Sequence, residues 1–207
     1  MNSRATAEKI IDLYEERIDS ITEISRKNNV GGKIRNLSGR LGEDISELAW
    51  KEVGSHYAKE YGFRFETVKG DKRKIRCTNN RGNSIDMQVD RHQYINGKLF
   101  HVEECKSYLD RCYLIRASDD CRMLKEHTDN NITSSVLAIE DSVKKESYDF
   151  IMDEGYIDGV FILADGKRSS TKPIWKDGCK KSLNVNKVLQ YVEGINAIFE
   201  RRIKSVK

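Results

Sequence analysis

A single proline, Pro173, stands in 207 residues, and no repeat or low-complexity linker divides the chain. The five cysteines (Cys77, Cys105, Cys112, Cys121, Cys179) are scattered and odd in number, with no C-x-x-C pair. A disulfide framework is therefore not expected, and reduced, mostly buried thiols are. The four histidines (His56, His92, His101, His127) add no closely spaced pair, so the chain lacks the ligand spacing of structural zinc. Nowhere does an apolar run approach the roughly 20 residues that cross a bilayer. Met1 to Lys9 also lacks the apolar stretch of a secretory signal, and the expected location is the cytoplasm.

What is present is charge. Hydrophobic residues make up 38% and charged residues 34%, enough for one core beneath a densely charged surface. One domain is expected over 1–207: an N-terminal helix and basic loop (1–38), a central core (39–165), and a basic loop with a C-terminal helix (166–207). The net charge of +4 is too mild to define a partner, so the placement of the charges matters more.

Ala7, Ile11, Tyr14, Ile18 and Ile21 recur at helical spacing, predicting a helix from Ala5 to Lys27. Gly31, Gly32 and Gly39 then predict a basic loop from Asn28 to Gly39. A second helix is expected from Gly42 to Tyr61, with Ile45, Leu48, Ala49 and Val53 on its apolar face and Glu43 and Glu47 one turn apart on a neighbouring face. Short strands follow at Phe63–Val68 and Lys74–Thr78, divided by Gly70-Asp71. Ser84 to Asp90 alternates, with Ile85, Met87 and Val89 on one face and Asp86, Gln88 and Asp90 on the other. Asn96-Gly97 is a strong hairpin signal leading into a strand from Lys98 to Ser107. Beyond it we expect a helix over Ser118–His127 capped by Ser118, a segment at Ser135–Ile139 readable as strand or helix, and a helix over Val143–Met152. A buried strand at Gly159–Ala164 and a closing helix from Val185 complete the reading. This order predicts an α/β fold, a central mixed sheet flanked by helices.

One spot carries chemistry. With the turn at Asn96-Gly97, Asp86 is expected opposite the neighbourhood of Glu104 to Lys106. Glu104 and Lys106 are two residues apart and leave the same strand face, while Cys105 points the other way into the packing. Buried charge on an apolar hairpin demands pairing or a metal. Two carboxylates can hold Mg²⁺ against a phosphate, and a neighbouring lysine can stabilise developing negative charge or act on the attacking water. Acid-x-Lys triplets arise by chance about three times at this composition, so the triplet alone decides nothing. The second one, Asp165-Gly166-Lys167, sits where an apolar strand ends and is read as a turn.

The run Ser84-Ile85-Asp86, followed after the turn by Leu99-Phe100-His101-Val102-Glu103-Glu104-Cys105-Lys106, resembles the active-site hairpin of type II restriction endonucleases of the PD-(D/E)XK superfamily. Gly42-Glu43 and Ser46-Glu47 resemble the glutamate-bearing helix that lends such sites an extra acid. Ile85 stands where the family's namesake proline would be, which leaves Asp90 as a second candidate for the aspartate. The resemblance implies a PD-(D/E)XK core, Asp86 and Glu104 as Mg²⁺ ligands aided by the Cys105 carbonyl, and Lys106 acting on water and phosphate. It implies Glu47, or failing that Glu43, as the outer acid, with Glu103 facing away as a surface or supporting group. The activity implied is site-specific cleavage of double-stranded DNA leaving 5′-phosphate and 3′-hydroxyl ends. A homodimer with a cognate DNA methyltransferase as genetic partner is implied too.

Basic residues that could reach DNA are Lys33, Arg35, Arg40, Arg81, Arg116, Arg122, Lys167 and Arg168. Two other readings stand beside restriction: a repair, nicking or junction-resolving nuclease of the same fold, and a non-catalytic DNA-binding module.

Overall fold

The computed structural model describes residues 2–27, 31–128, 131–169, 171–176 and 178–204, without the side chains at 31–33 and 35. Helix α1 (Ser3–Lys27) buries Ala7, Ile10, Tyr14, Ile18 and Ile21 as one stripe. Helix α2 (Gly31–Tyr61) is longer than its glycines suggest. Ile34, Leu41, Ile45, Ala49, Trp50 and Val53 are buried along it, so tertiary burial outweighs the roughly 1 kcal/mol that each interior glycine costs a helix. The loop expected at Asn28–Gly39 is thereby corrected from Gly31 onward, and Asn28–Val30 lie outside the described residues.

Five strands form the central sheet: β1 (Phe65–Lys69), β4 (Arg91–Ile95), β5 (Lys98–Leu109), β6 (Thr133–Asp141) and β7 (Gly159–Ile162). Their spatial order is β1-β4-β5-β6-β7, antiparallel as far as β5 and parallel beyond it. Strands β2 (Ile75–Thr78) and β3 (Ser84–Met87) pair only with each other, as a separate ribbon. Helices α1, α2 and α5 (Val185–Lys204) cover one sheet face around Phe100, Leu137 and Ile139. Helix α3 (Arg111–His127) with α4 (Lys145–Asp153) covers the other, around Val136 and Ala138. The result is the predicted mixed sheet between helical layers. No helix among the described residues is long and apolar enough to cross a membrane.

Two sequence expectations need correction here. Helix α3 starts seven residues before Ser118, capped by Asp110, whose carboxylate accepts the Tyr113 N–H at 2.9 Å. Ser118 is instead a buried interior residue of that helix. The second correction concerns Asp86. Asn96 (φ 50°) and Gly97 (φ 77°) do form the tight turn, but the strand entering it is β4, which begins at Arg91. The expected continuous strand from Ser84 breaks after Met87. Gly70 packs so closely on Val89 that a β-carbon there would collide with the Val89 carbonyl, and the Gly70 N–H donates to the Asp90 carbonyl at 3.2 Å. The chain turns at this point, and β3 pairs with β2, placing Asp86 opposite Arg76, both exposed.

Candidate active site

The register of β4 on β5 pairs Arg91 with Glu103, which brings Asp90, the residue just before β4, alongside Glu104. Asp90 Oδ2 accepts the Cys105 backbone N–H and the Lys106 ammonium, each at 2.8 Å. Lys106 Nζ also donates to Glu104 Oε2 at 2.5 Å. Thus Glu104 and Lys106 meet as the sequence suggested, while the aspartate that joins them is Asp90.

Electrostatics follow from this crowding. Burial raises the Glu104 carboxyl to about 7; Lys106 opposes that rise and Asp90 adds to it. Burial pulls the Lys106 ammonium down, but Glu104 and Asp90 outweigh it and hold it above its ordinary range. Lys106 is therefore a charged ammonium at neutral pH, gripped by two acids.

Helix α2 supplies two further acids with different fates. Glu47 accepts from Lys51 and from the Arg91 guanidinium, both at 2.5 Å; burial opposes, but these two bonds bring its carboxyl below the usual range. Glu43 lies with Asp90 on the wall of the cleft, its carboxyl raised by burial and then by Asp90. Of the two, Glu43 lines the cleft, with a longer ion pair to Lys69 at 3.8 Å. Helix α2 packs close to β5 at Gly42, where a β-carbon would stand 3.4 Å from the Lys106 carbonyl and 3.6 Å from Cys105 Cβ, in ordinary contact.

Behind the strand lies a group that the sequence reading placed at the surface or in a supporting position. Glu103 is fully buried. Its Oε2 accepts from Ser46 (2.5 Å), Trp50 Nε1 (3.1 Å) and Tyr191 (2.8 Å), and its Oε1 accepts from Ser135 (2.7 Å). Burial raises its carboxyl, with the four donors opposing. Its cross-strand partner Arg91 is 1% exposed and donates to the Glu43 carbonyl at 2.9 Å as well as to Glu47. The sequence reading leaves Glu103 between a surface and a supporting position and assigns Arg91 no role. The available signal was the alternation of Arg91 and Glu103 with the site acids on neighbouring positions of their strands.

The cleft over Asp90 and Lys106 encloses about 770 Å³ and is walled by Ser38, Gly39, Glu43, Tyr108, Tyr113, Arg116, Arg168 and Trp175. Arg168 lies over the Tyr108 ring at 3.2 Å from its centroid, a cation–π contact. A second cavity of about 560 Å³ shares Glu43 and Asp90 and adds Arg17, Arg40, Lys69 and Lys72. Three of the sequence-selected basic residues, Arg40, Arg116 and Arg168, thus border the acids. Arg81 is on the turn of the β2–β3 ribbon, Arg122 is paired with Asp119 and Glu126 on α3, and Lys167 is exposed beyond β7. The side chains of Lys33 and Arg35 lie outside the described residues. Asp165-Gly166-Lys167 is the expected turn, with Gly166 at φ 74° and Asp165 bonded to Asn184 and Lys187.

Among the described residues no three carboxylate, imidazole or thiol groups gather into a ready-made metal cage. The donor set still fits Mg²⁺, which takes one or two carboxylates and leaves its other positions to water and substrate phosphate. Asp90 and Glu104 reach one ammonium together; burial above all, and then Asp90, raises the Glu104 carboxyl, and a divalent cation held between the two acids would offset both.

No protein-family profile and no curated protein matches the chain. Among solved structures, that of P. aeruginosa ATCC27853 NucC in its cAAA-bound form superposes with a TM-score of 0.50 at 12% identity, covering 92% of this chain and 90% of that one. The likeness is one of fold: a mixed five-stranded sheet flanked by helices, restriction-endonuclease-like.

Proposed function

We propose that the protein is a Mg²⁺-dependent nuclease that hydrolyses phosphodiester bonds of DNA, with Asp90, Glu104 and Lys106 at its centre and Glu43 as the outer acid. The observation that carries this reading is the Lys106 ammonium held by both Asp90 and Glu104 in a cleft bordered by arginines. A bound Mg²⁺ would supply Lewis-acid polarisation of the scissile phosphate and a more acidic water. Asp90 and Glu104 would hold it, with the Cys105 carbonyl as a further donor. Lys106, released in part from the acids, stabilises charge that develops on the phosphate and orients the incoming water. Arg116 and Arg168 hold flanking phosphates. Asp86, exposed on the ribbon, takes no part.

The finer form of the proposal is a type II restriction endonuclease. It would be a cytoplasmic homodimer cutting both strands at a specific sequence, leaving 5′-phosphate and 3′-hydroxyl ends, with a cognate methyltransferase. Its support is the resemblance of Glu104-Cys105-Lys106 and of the Gly42-Glu43 helix to that family. Incubating a supercoiled plasmid of known sequence with the protein and Mg²⁺ tests both levels. Discrete fragments support the restriction reading, whereas nicked circles or a smear support a nuclease of another kind. An uncut plasmid over a range of Mg²⁺ and Mn²⁺ concentrations sinks the nuclease reading.

A further inference from the structure

Asp90 and Glu104, the two acids on Lys106, are each one residue away from a buried charged side chain. Asp90 precedes Arg91, Glu104 follows Glu103, and Arg91 and Glu103 face each other in register across β4 and β5. Both bond to α2: Arg91 to the Glu43 carbonyl and Glu47, Glu103 to Ser46 and Trp50. Glu103 further gathers Ser135 from β6 and Tyr191 from α5. A fully buried carboxylate carries a desolvation cost of several kcal/mol unless it is saturated with donors. This one has four, from three different elements.

We propose that Glu103, with Arg91 beside it, is a positioning residue. Its docking on α2 sets where Glu43 stands relative to Asp90 and Glu104, and so sets the metal affinity of the cleft. This rests on the nuclease reading above. The role lies in acceptor geometry. Glutamine at 103 retains one oxygen for Ser46, Trp50 and Tyr191. Its amide group would face Ser135, which can turn its hydroxyl towards His101 Nε2, 2.9 Å away. Leucine at 103 retains no acceptor.

The test uses the full-length protein and Mn²⁺ alone as probe, with binding followed by water-proton relaxation without DNA, and in parallel the kcat and KM of plasmid cleavage. All are measured well below each variant's Tm. Outer groups that orient metal ligands typically contribute about 10–100-fold in affinity or activity. We expect Glu103→Leu to weaken Mn²⁺ binding and lower kcat within that range while KM for DNA changes by less than about threefold, because the cleft arginines are untouched. Glu103→Gln restores both to within about threefold of wild type. Should Glu103→Leu not fold, the Ser46→Ala/Tyr191→Phe double variant removes two donors and retains the carboxylate. It is expected to weaken Mn²⁺ binding about tenfold. Wild-type Mn²⁺ affinity in a folded Glu103→Leu or double variant overturns the proposal, as does a glutamine variant as weak as the leucine one. A wild-type protein that neither binds Mn²⁺ nor cuts DNA refutes the nuclease reading itself, a different failure.

Discussion

Asp90 Oδ2 stands 2.8 Å from Lys106 Nζ, across the junction where β4 begins beside β5. This contact separates Asp90 from Asp86, four residues earlier. Asp90→Asn should lower cleavage at least about a hundredfold, consistent with the several kcal/mol that metal-assisted charge stabilisation contributes. Asp86→Asn should leave the rate within about twofold, since exposed substitutions away from a site are nearly neutral. Initial rates on a supercoiled plasmid distinguish the two, and equal losses would remove Asp90 from its assigned place.

Glu43 and Glu47 should separate by stability as well as by rate. Glu47→Gln leaves the buried Arg91 guanidinium with the Glu43 carbonyl as its hydrogen-bonding partner on α2. We expect a loss of about 2 kcal/mol in urea unfolding, below the full cost of breaking a buried pair because Glu47 is partly exposed. Glu43→Gln relieves repulsion with Asp90, so stability is held or slightly raised while cleavage falls.

Buried histidine gives a pH dependence with a definite sign. Burial depresses His101 to about 3, with Lys125 and Arg201 adding to it. The unfolded chain therefore takes up a proton below about pH 6.5 that the folded chain refuses, and stability falls with falling pH by up to about 1.4 kcal/mol per unit from this residue. Glu103, raised by burial, contributes in the opposite sense, losing stability as pH rises through the carboxylate range. Urea midpoints between pH 7 and 5 should fall less steeply in His101→Gln than in wild type; identical slopes would refute the assignment.

Two glycines of α2 should respond in opposite directions to alanine. Gly54 packs against Phe65 so closely that a β-carbon would collide with the ring, and Gly54→Ala should cost about 1–3 kcal/mol. Gly39 has nothing within 4 Å of such a carbon, and Gly39→Ala should gain about 0.5–1 kcal/mol from helix propensity. Thermal unfolding measures both.

Arg116 is exposed on α3 at the cleft wall. Arg116→Ala should weaken DNA binding by a similar factor on any sequence and reduce the slope of log K against log salt by about one. Fluorescence anisotropy with Ca²⁺ in place of Mg²⁺ measures it, and a loss confined to one sequence would mean that Arg116 reads bases.

The helices, the Asn96-Gly97 turn and the Glu104/Lys106 pair were legible because each depends on local periodicity or on two-residue spacing within one strand. In the sequence Asp86 outranks Asp90 because the alternating run from Ser84 to Asp90 has the pattern of one strand. The break after Met87 depends on the close approach of Gly70 to Val89, a contact distant enough in sequence to leave no local pattern. Residues 31–39 have the composition of a loop because Gly31, Gly32 and Gly39 are poor helix formers, and the burial that overrides them is tertiary. Glu103 was read as facing away, which is correct in direction. That direction ends in four donors from α2, β6 and α5, and adjacency in sequence gives no sign of them.

The β2–β3 ribbon has its own hydrogen bonding and shares no strand pairing with the five-stranded sheet. Ile75 and Cys77 are nevertheless buried in one cluster with Tyr94, Leu99 and Val102, so the ribbon is fastened to the sheet by apolar packing rather than by backbone pairing. The turn at 79–82 is the exposed end of that ribbon, so changes there would alter what this face of the molecule meets while the buried side of the ribbon keeps its hold on the sheet.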